Sequence, residues 1–291
     1  MRILVTGSNG MLGHASLPVL KQRHQVIGVD LEECNICDEE AVRSVFHTDR
    51  PELVVHLAAF TNVDGCETEP QTAHETNAEG TRNIAEACAE INAAMVYLST
   101  DYVFDGAQAE PYSEGDHPNP INAYGQSKLR GEQYVQAIVK RHFIIRTSWL
   151  FGPKGKNFVS TILQLAHRQQ VLRVVSDQYG SPTYTRHLAL KLLDLVETDA
   201  YGVYHVTGSG SCSWFEFARS IVDLWPVENV QVMPISSAAS ARSARRPANS
   251  VLENRRLKQL GMDRMPHWKK ALAEYIDELK RAGFAETLKE S

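Results

Sequence analysis

The sequence predicts an α/β protein: a parallel sheet wound with helices on both faces, carrying a smaller C-terminal cap. Three observations carry this. Short apolar runs alternate with helical stretches through the first half of the chain. One of those runs, residues 53–57, is apolar except for His56, as expected of a parallel strand covered on both faces. The opening strand is followed at once by a glycine-spaced turn and a helix. Such alternation implies right-handed crossovers, which gather the loops after the strands along one sheet edge.

In order, Ile3–Val5 reads as a buried strand, 11–22 as a helix, and Gln25–Val29 as a second strand ending at Asp30. Residues 53–57 form the third strand and 70–91 one long helix. Ala94–Leu98 is the fourth strand, running into Ser99 and Thr100. A helix over 122–140 and a fifth strand over Phe143–Arg146 follow. Beyond about residue 150 the rhythm loosens. Helices are expected at 185–196, 213–225 and 268–282, with short strands near 202–206 and 230–233. Residues 177–183 are turn-rich, and the polar, Arg-rich stretch 236–250 reads as a surface loop.

The 291 residues, 43% apolar and 22% charged, suffice for a large α/β unit with an addition. A net charge of −5 argues against a nucleic-acid-coating surface. The one basic cluster, Arg242 with Arg245 and Arg246, is either a solvated turn or a phosphate clamp. No apolar run approaches the roughly 18 residues of a spanning helix, so no membrane partner is expected. The chain starts on a strand, so no signal peptide is expected. Five cysteines without framework spacing fit a reducing cytoplasm. Cys34 and Cys37 have CxxC spacing, but no second pair completes a metal site, and none is expected.

Gly7, Gly10 and Gly13 lie three residues apart between strand and helix, with Asn9, Met11 and Leu12 among them. Glycines let a backbone turn tightly against a pyrophosphate, and a helix N-terminus supplies N–H donors and partial positive charge. A dinucleotide is the expected ligand. At the end of the second strand, Asp30 either accepts from ribose hydroxyls or caps a turn. Glu32 and Glu33 follow with no basic residue beside them, which favours NADH over NADPH. The boundaries expected are a dinucleotide-binding domain over 1–150, onto which residues about 172–200 pack back, and a substrate-binding region over 151–291.

Tyr124 and Lys128 stand one helical turn apart, downstream of Thr100. An ammonium about 6 Å from a phenol favours the phenolate by roughly 2–3 kcal/mol at an effective dielectric near 20. A phenol so tuned can exchange a proton with a carbonyl under reduction. The Thr100 hydroxyl is placed to donate to that carbonyl. Asp101 polarises the site or holds its loop, the loop role being favoured. Trp149, after the fifth strand, stacks on a sugar or packs in the core.

These residues carry a resemblance. The chain resembles the extended short-chain dehydrogenase/reductases and, within them, the dTDP-4-dehydrorhamnose reductase family. The matching stretches are TGSNGMLG at 6–13, AAFTNVDGCE at 58–67, STDYVFDG at 99–106 and NAYGQSKLRGE at 122–132. RTSWLFG at 146–152, NFV at 157–159, DQYGSPT at 177–183 and RRPANS at 245–250 continue it. The resemblance implies a Rossmann-type fold and NAD(P)H-dependent reduction of the 4-keto group of a nucleotide-diphospho-6-deoxyhexose. It implies Tyr124 as proton donor, Lys128 on the nicotinamide ribose and Thr100 on the carbonyl oxygen. It adds Asp38, Ala58, Ala59 and Thr61 to the glycine loop and Asp30 as cofactor positions. Val63, Asp101, Trp149 and Asn157 are expected near the sugar, and Arg246 at the diphosphate. Some members dimerise through magnesium held by a Glu two positions beyond the last loop glycine; Ala15 stands there, so a monomer or a metal-independent dimer is expected. The rival readings are a 4-reductase for another nucleotide sugar and a non-catalytic dinucleotide-binding regulatory subunit.

Overall fold

The computed structural model describes residues 1–225, 227 and 229–284. The first half alternates as β1 (Arg2–Thr6), α1 (Met11–Leu20), β2 (Gln25–Val29), α2 (Glu39–Asp49) and β3 (Leu53–His56). It continues through α3 (Val63–Thr68), α4 (Pro70–His74), α5 (Gly80–Glu90), β4 (Ala94–Thr100), α6 (Ala123–Ile138) and β5 (His142–Thr147). A sixth strand, Gly202–His205, pairs with β5. All six run parallel, in the order sixth, β5, β4, β3, β1, β2.

The expected doubly wound α/β fold is therefore present. Alternate residues of each strand enter two cores. Ile3, Val5, Val55, Val96 and Ile145 face one side, and Leu4, Val54, Met95 and Ile144 the other. Strands buried on both faces read as near-continuous apolar runs, which is why periodicity located them. The strand order reverses between β1 and β3, so the loops leaving those strands part and open a crevice.

The single helix expected over 70–91 is divided by a π-helical turn at Glu75–Glu79. The wide turn delivers Asn77 to the loop after β3. Its Oδ1 accepts from the Phe60 N–H at 2.7 Å, and its Nδ2 donates to the Phe60 carbonyl at 3.0 Å.

The later chain divides between two bodies. α7 (Phe158–Arg168), α9 (Trp214–Leu224) and α10 (Trp268–Arg281) surround an aromatic core of Phe151, Tyr184, Phe217, Trp268 and Tyr275. Val171–Val175 pairs with Gln231–Ile235 beside it. In contrast, α8 (Thr185–Val196) places Leu188, Leu192 and Leu195 in the main-sheet core. Within 172–200 the two ends thus part company: the strand joins the cap and α8 the sheet. No described helix is long and apolar enough to cross a membrane.

Candidate active site

A cleft of about 2170 Å³ runs along the carboxyl edge of the sheet, between it and the cap. Gly7, Asn9, Gly10, Met11, Leu12, Gly13, Asp30, Ala58, Ala59 and Thr61 line one arm. Val63, Thr100, Asp101, Tyr124, Trp149, Asn157 and Arg246 line the other.

Gly7 has φ +66°, and a Cβ there would lie 2.6 Å from the Ala58 backbone nitrogen. Only glycine lets the β1 turn pass so close to the loop after β3. No side chain caps α1, so its first N–H groups remain open beside the cleft. The Asp30 carboxylate accepts from the Asn9 N–H at 2.8 Å, tying the second strand to the glycine turn. A narrow backbone turn, open helix N–H groups and a carboxylate at the next strand end fit a dinucleotide.

Asp38 does not join them. Its Oδ1 accepts from the Glu40 and Ala41 N–H groups as the N-cap of α2, and it does not line the cleft. An N-cap carboxylate contributes about 1 kcal/mol to its helix, which accounts for this Asp. Cys34 and Cys37 are free thiols. No His, Cys, Asp or Glu cluster able to hold a metal occurs among the described residues.

The second arm is built on β4 and α6. Asn122 caps α6, accepting from the Gly125 N–H at 2.7 Å. A Cβ on Gly125 would lie 2.0 Å from the Tyr102 carbonyl oxygen, so glycine there lets α6 dock on the turn after β4. That docking brings Tyr124 to Thr100. The Thr100 hydroxyl donates to Asp101 Oδ1 at 3.0 Å and accepts from the Tyr102 N–H at 3.2 Å. Burial pushes Asp101 up to about 7, against the Ser250 and Thr100 hydroxyls.

Lys128 is buried and does not line the cleft. Its ammonium lies 4.2 Å from the centre of the Tyr97 ring. Burial lowers it to about 7, opposed by the Glu132 carboxylate. The expected depression of Tyr124 is reversed here: burial, then the Asp101 charge, push its phenol up, while the Thr100 hydroxyl pulls it down. Desolvation of the phenolate is the largest influence on it.

Toward the cap, Asn157 is engaged in structure. Its side chain caps α7 through the Ser160 N–H at 3.1 Å and donates to the Gly152 carbonyl at 2.8 Å. Trp149 stacks on Trp214, which also lines the cleft. Arg246, expected at a diphosphate, pairs with Asp64 through 3.2 and 2.9 Å contacts. Arg242, Ser243 and the Ala244 N–H donate to the same carboxylate. Burial would raise Asp64, but the Arg246 guanidinium and these donors hold it well below the usual carboxylate range. Asp64 and Trp214 were not among the residues expected; Asp64 adjoins Val63 in the stretch 58–67, which was the available signal.

The RmlD substrate binding domain profile matches residues 1–281. The chain is 42% identical over 282 residues to the spore coat polysaccharide biosynthesis protein SpsK of Bacillus subtilis (strain 168), covering 97% of this chain and 99% of SpsK. It is 40% identical to a dTDP-4-dehydrorhamnose reductase of Streptomyces griseus, covering 97% and 95% of the two chains. Among solved structures, dTDP-4-dehydrorhamnose reductase from Bacillus anthracis str. Ames, in complex with NADP, superposes with a TM-score of 0.93. That pair is 40% identical and covers 95% of this chain and 99% of the other.

Proposed function

The chain belongs to the RmlD substrate binding domain family, and from that premise we propose that it reduces the 4-keto group of a nucleotide-diphospho-4-keto-6-deoxyhexose. The foremost reaction is dTDP-4-dehydro-L-rhamnose to dTDP-L-rhamnose, with NADH or NADPH. The observation that carries the reading is that Thr100, Asp101 and Tyr124 line the same cleft as the glycine turn.

The dinucleotide supplies the hydride. The Gly7–Gly13 backbone and the open end of α1 hold its diphosphate, and Asp30 accepts from its adenosine ribose. Ala58, Ala59 and Thr61 wall the nicotinamide arm. Lys128, one turn from Tyr124 and off the cleft lining, would act on the second ribose through its charge. Thr100 turns its hydroxyl from Asp101 to the substrate carbonyl oxygen. Tyr124, held protonated by burial, donates to that oxygen as negative charge develops on it. Val63, Trp149 and Asn157 shape the sugar end, and Arg246 with Arg242 meets the substrate diphosphate at the mouth.

The free cysteine thiols fit a reducing, cytoplasmic setting. Ala15, packed in α1 against the core, offers no oxygen ligand, which favours a monomer or a metal-independent dimer. The test is NAD(P)H consumption that depends on dTDP-4-dehydro-L-rhamnose, with the rhamnose product identified. Purified protein that oxidises neither cofactor with this substrate would overturn the reading.

A further inference from the structure

α6 presents Tyr124, Lys128 and Glu132 at successive turns, so the three share one helix face. Glu132 is 1% exposed. Its Oε1 accepts from Arg146 Nε at 2.9 Å and from the Ser99 hydroxyl at 2.5 Å, and its Oε2 from Arg146 Nη2 at 2.7 Å. Arg146 comes from β5, and Ser99 immediately precedes Thr100 on β4. Lys128 is 3% exposed, and Tyr97 of β4 closes on it from below. The Tyr97 hydroxyl donates to the Lys128 carbonyl at 3.1 Å.

Two buried cations and one carboxylate therefore share a small volume. A buried ion pair adds little stability over well-packed apolar residues, so its presence under a reactive helix asks for another reason. We propose that Glu132, locked by Arg146 and Ser99, is a positioning residue that keeps Lys128 charged and seated on Tyr97, and so sets the alkaline limit of the reaction.

The groups around Lys128 agree on this assignment. On its own helix lie the Tyr124 phenol and Glu132. β4 contributes Tyr97, and the turn beyond it Asp101. β5 contributes Arg146, which is engaged by the Glu132 carboxylate at 2.9 and 2.7 Å. β3 contributes His56, lowered to about 3 by burial and then by Lys128, and therefore neutral. Thr81 and Asn77, from the facing helices, are neutral. Glu132 is the carboxylate whose field opposes the burial of Lys128. The Ser99 contact also holds the end of β4, one residue before Thr100.

The inference rests on the reductase reading and is tested so that the two can fail separately. Glu132→Gln keeps the shape and an acceptor for Arg146 but removes the charge. The alkaline limb of kcat/KM should move to lower pH by about one unit, with activity at pH 6 within about threefold of wild type. NADH binding, followed by its fluorescence, should weaken over the same shifted pH range. Ser99→Ala removes one hydrogen bond to Glu132 while leaving Arg146 paired, and should move both curves in the same direction by a smaller amount; it also serves if Glu132→Gln does not fold. Unshifted limbs in both variants, with activity lowered evenly at every pH, would overturn the proposal and leave a scaffold role. Failure of wild type to reduce the keto sugar would instead overturn the reductase reading, while the NADH binding curves would still report on Lys128.

Discussion

Trp149 and Trp214 lie face to face, with ring centroids 3.4 Å apart and planes 7° from parallel. Trp149 follows β5 on the sheet, and Trp214 opens α9 in the cap. Trp149 holds φ +48°, a left-handed conformation that costs a non-glycine residue roughly 1–2 kcal/mol. Its indole Nε1 is buried without a hydrogen-bond partner. The stack thus fixes an indole plane on the cleft wall against backbone strain. Stacked aromatics contribute about 0.5–1.5 kcal/mol beyond burial.

Trp214→Ala frees that plane. KM for the sugar nucleotide is expected to rise about tenfold while the NADH dissociation constant stays within about twofold. Steady-state kinetics with a parallel NADH titration checks this. An unchanged KM would assign the pair to packing alone.

Tyr124→Phe deletes only the phenolic oxygen. The expected result is a fall in kcat of roughly 10²–10⁴-fold with cofactor binding retained. Turnover near the wild-type rate would remove Tyr124 from the role of acid.

Asp101 supplies a stability test. Burial raises its carboxyl from 3.8 to about 7 in the folded chain. Between those pH values the folded state keeps a proton that the unfolded chain has released. Stability therefore falls as pH rises through that window, by up to ~4 kcal/mol for this group. Asp101→Asn lacks the term, so its stability relative to wild type should improve from pH 4 to pH 8. Thermal unfolding at both values decides it; parallel pH dependences would show that Asp101 ionises freely.

Cofactor choice follows from the loop after β2. The Glu33 carboxylate accepts from the Asp30 N–H at 2.9 Å, so a second acidic side chain is held at the strand end that carries Asp30. NADH should exceed NADPH in kcat/KM by about tenfold. Leu31, 70% exposed beside them, offers a site for Leu31→Arg, which should narrow or reverse that ratio. A wild-type preference for NADPH of about tenfold or more would mean that a basic residue from elsewhere reaches the phosphate.

Much of the scaffold was legible because strand burial and helix periodicity are local signals. β2 falls at Gln25–Val29 and α8 at Thr185–Val196, as expected from sequence. The π-turn was not legible, because Asn77 adopts it to reach Phe60, a tertiary partner. The positions that gather on the cleft were legible from motif spacing and family resemblance. What holds them was not. Asp64 meets Arg246 across 182 residues, and Tyr97 meets Lys128 across 31, distances over which sequence carries no pairing signal. Asp38 shows the reverse case, a polar side chain expected at a ligand that caps a helix off the cleft, whereas Asn157 caps a helix and also lines the cleft.

The sixth strand has a practical consequence for engineering. It arrives only after the first cap segment, and the chain then leaves the sheet again for α9. A fragment ending near residue 150 would leave β5 as a bare edge and uncover the face of α1 that α8 packs on, inviting aggregation. Specificity grafts between relatives therefore require paired junctions on either side of residues 185–205. A single crossover at the apparent boundary would join a sheet to an edge strand and helix evolved for another partner.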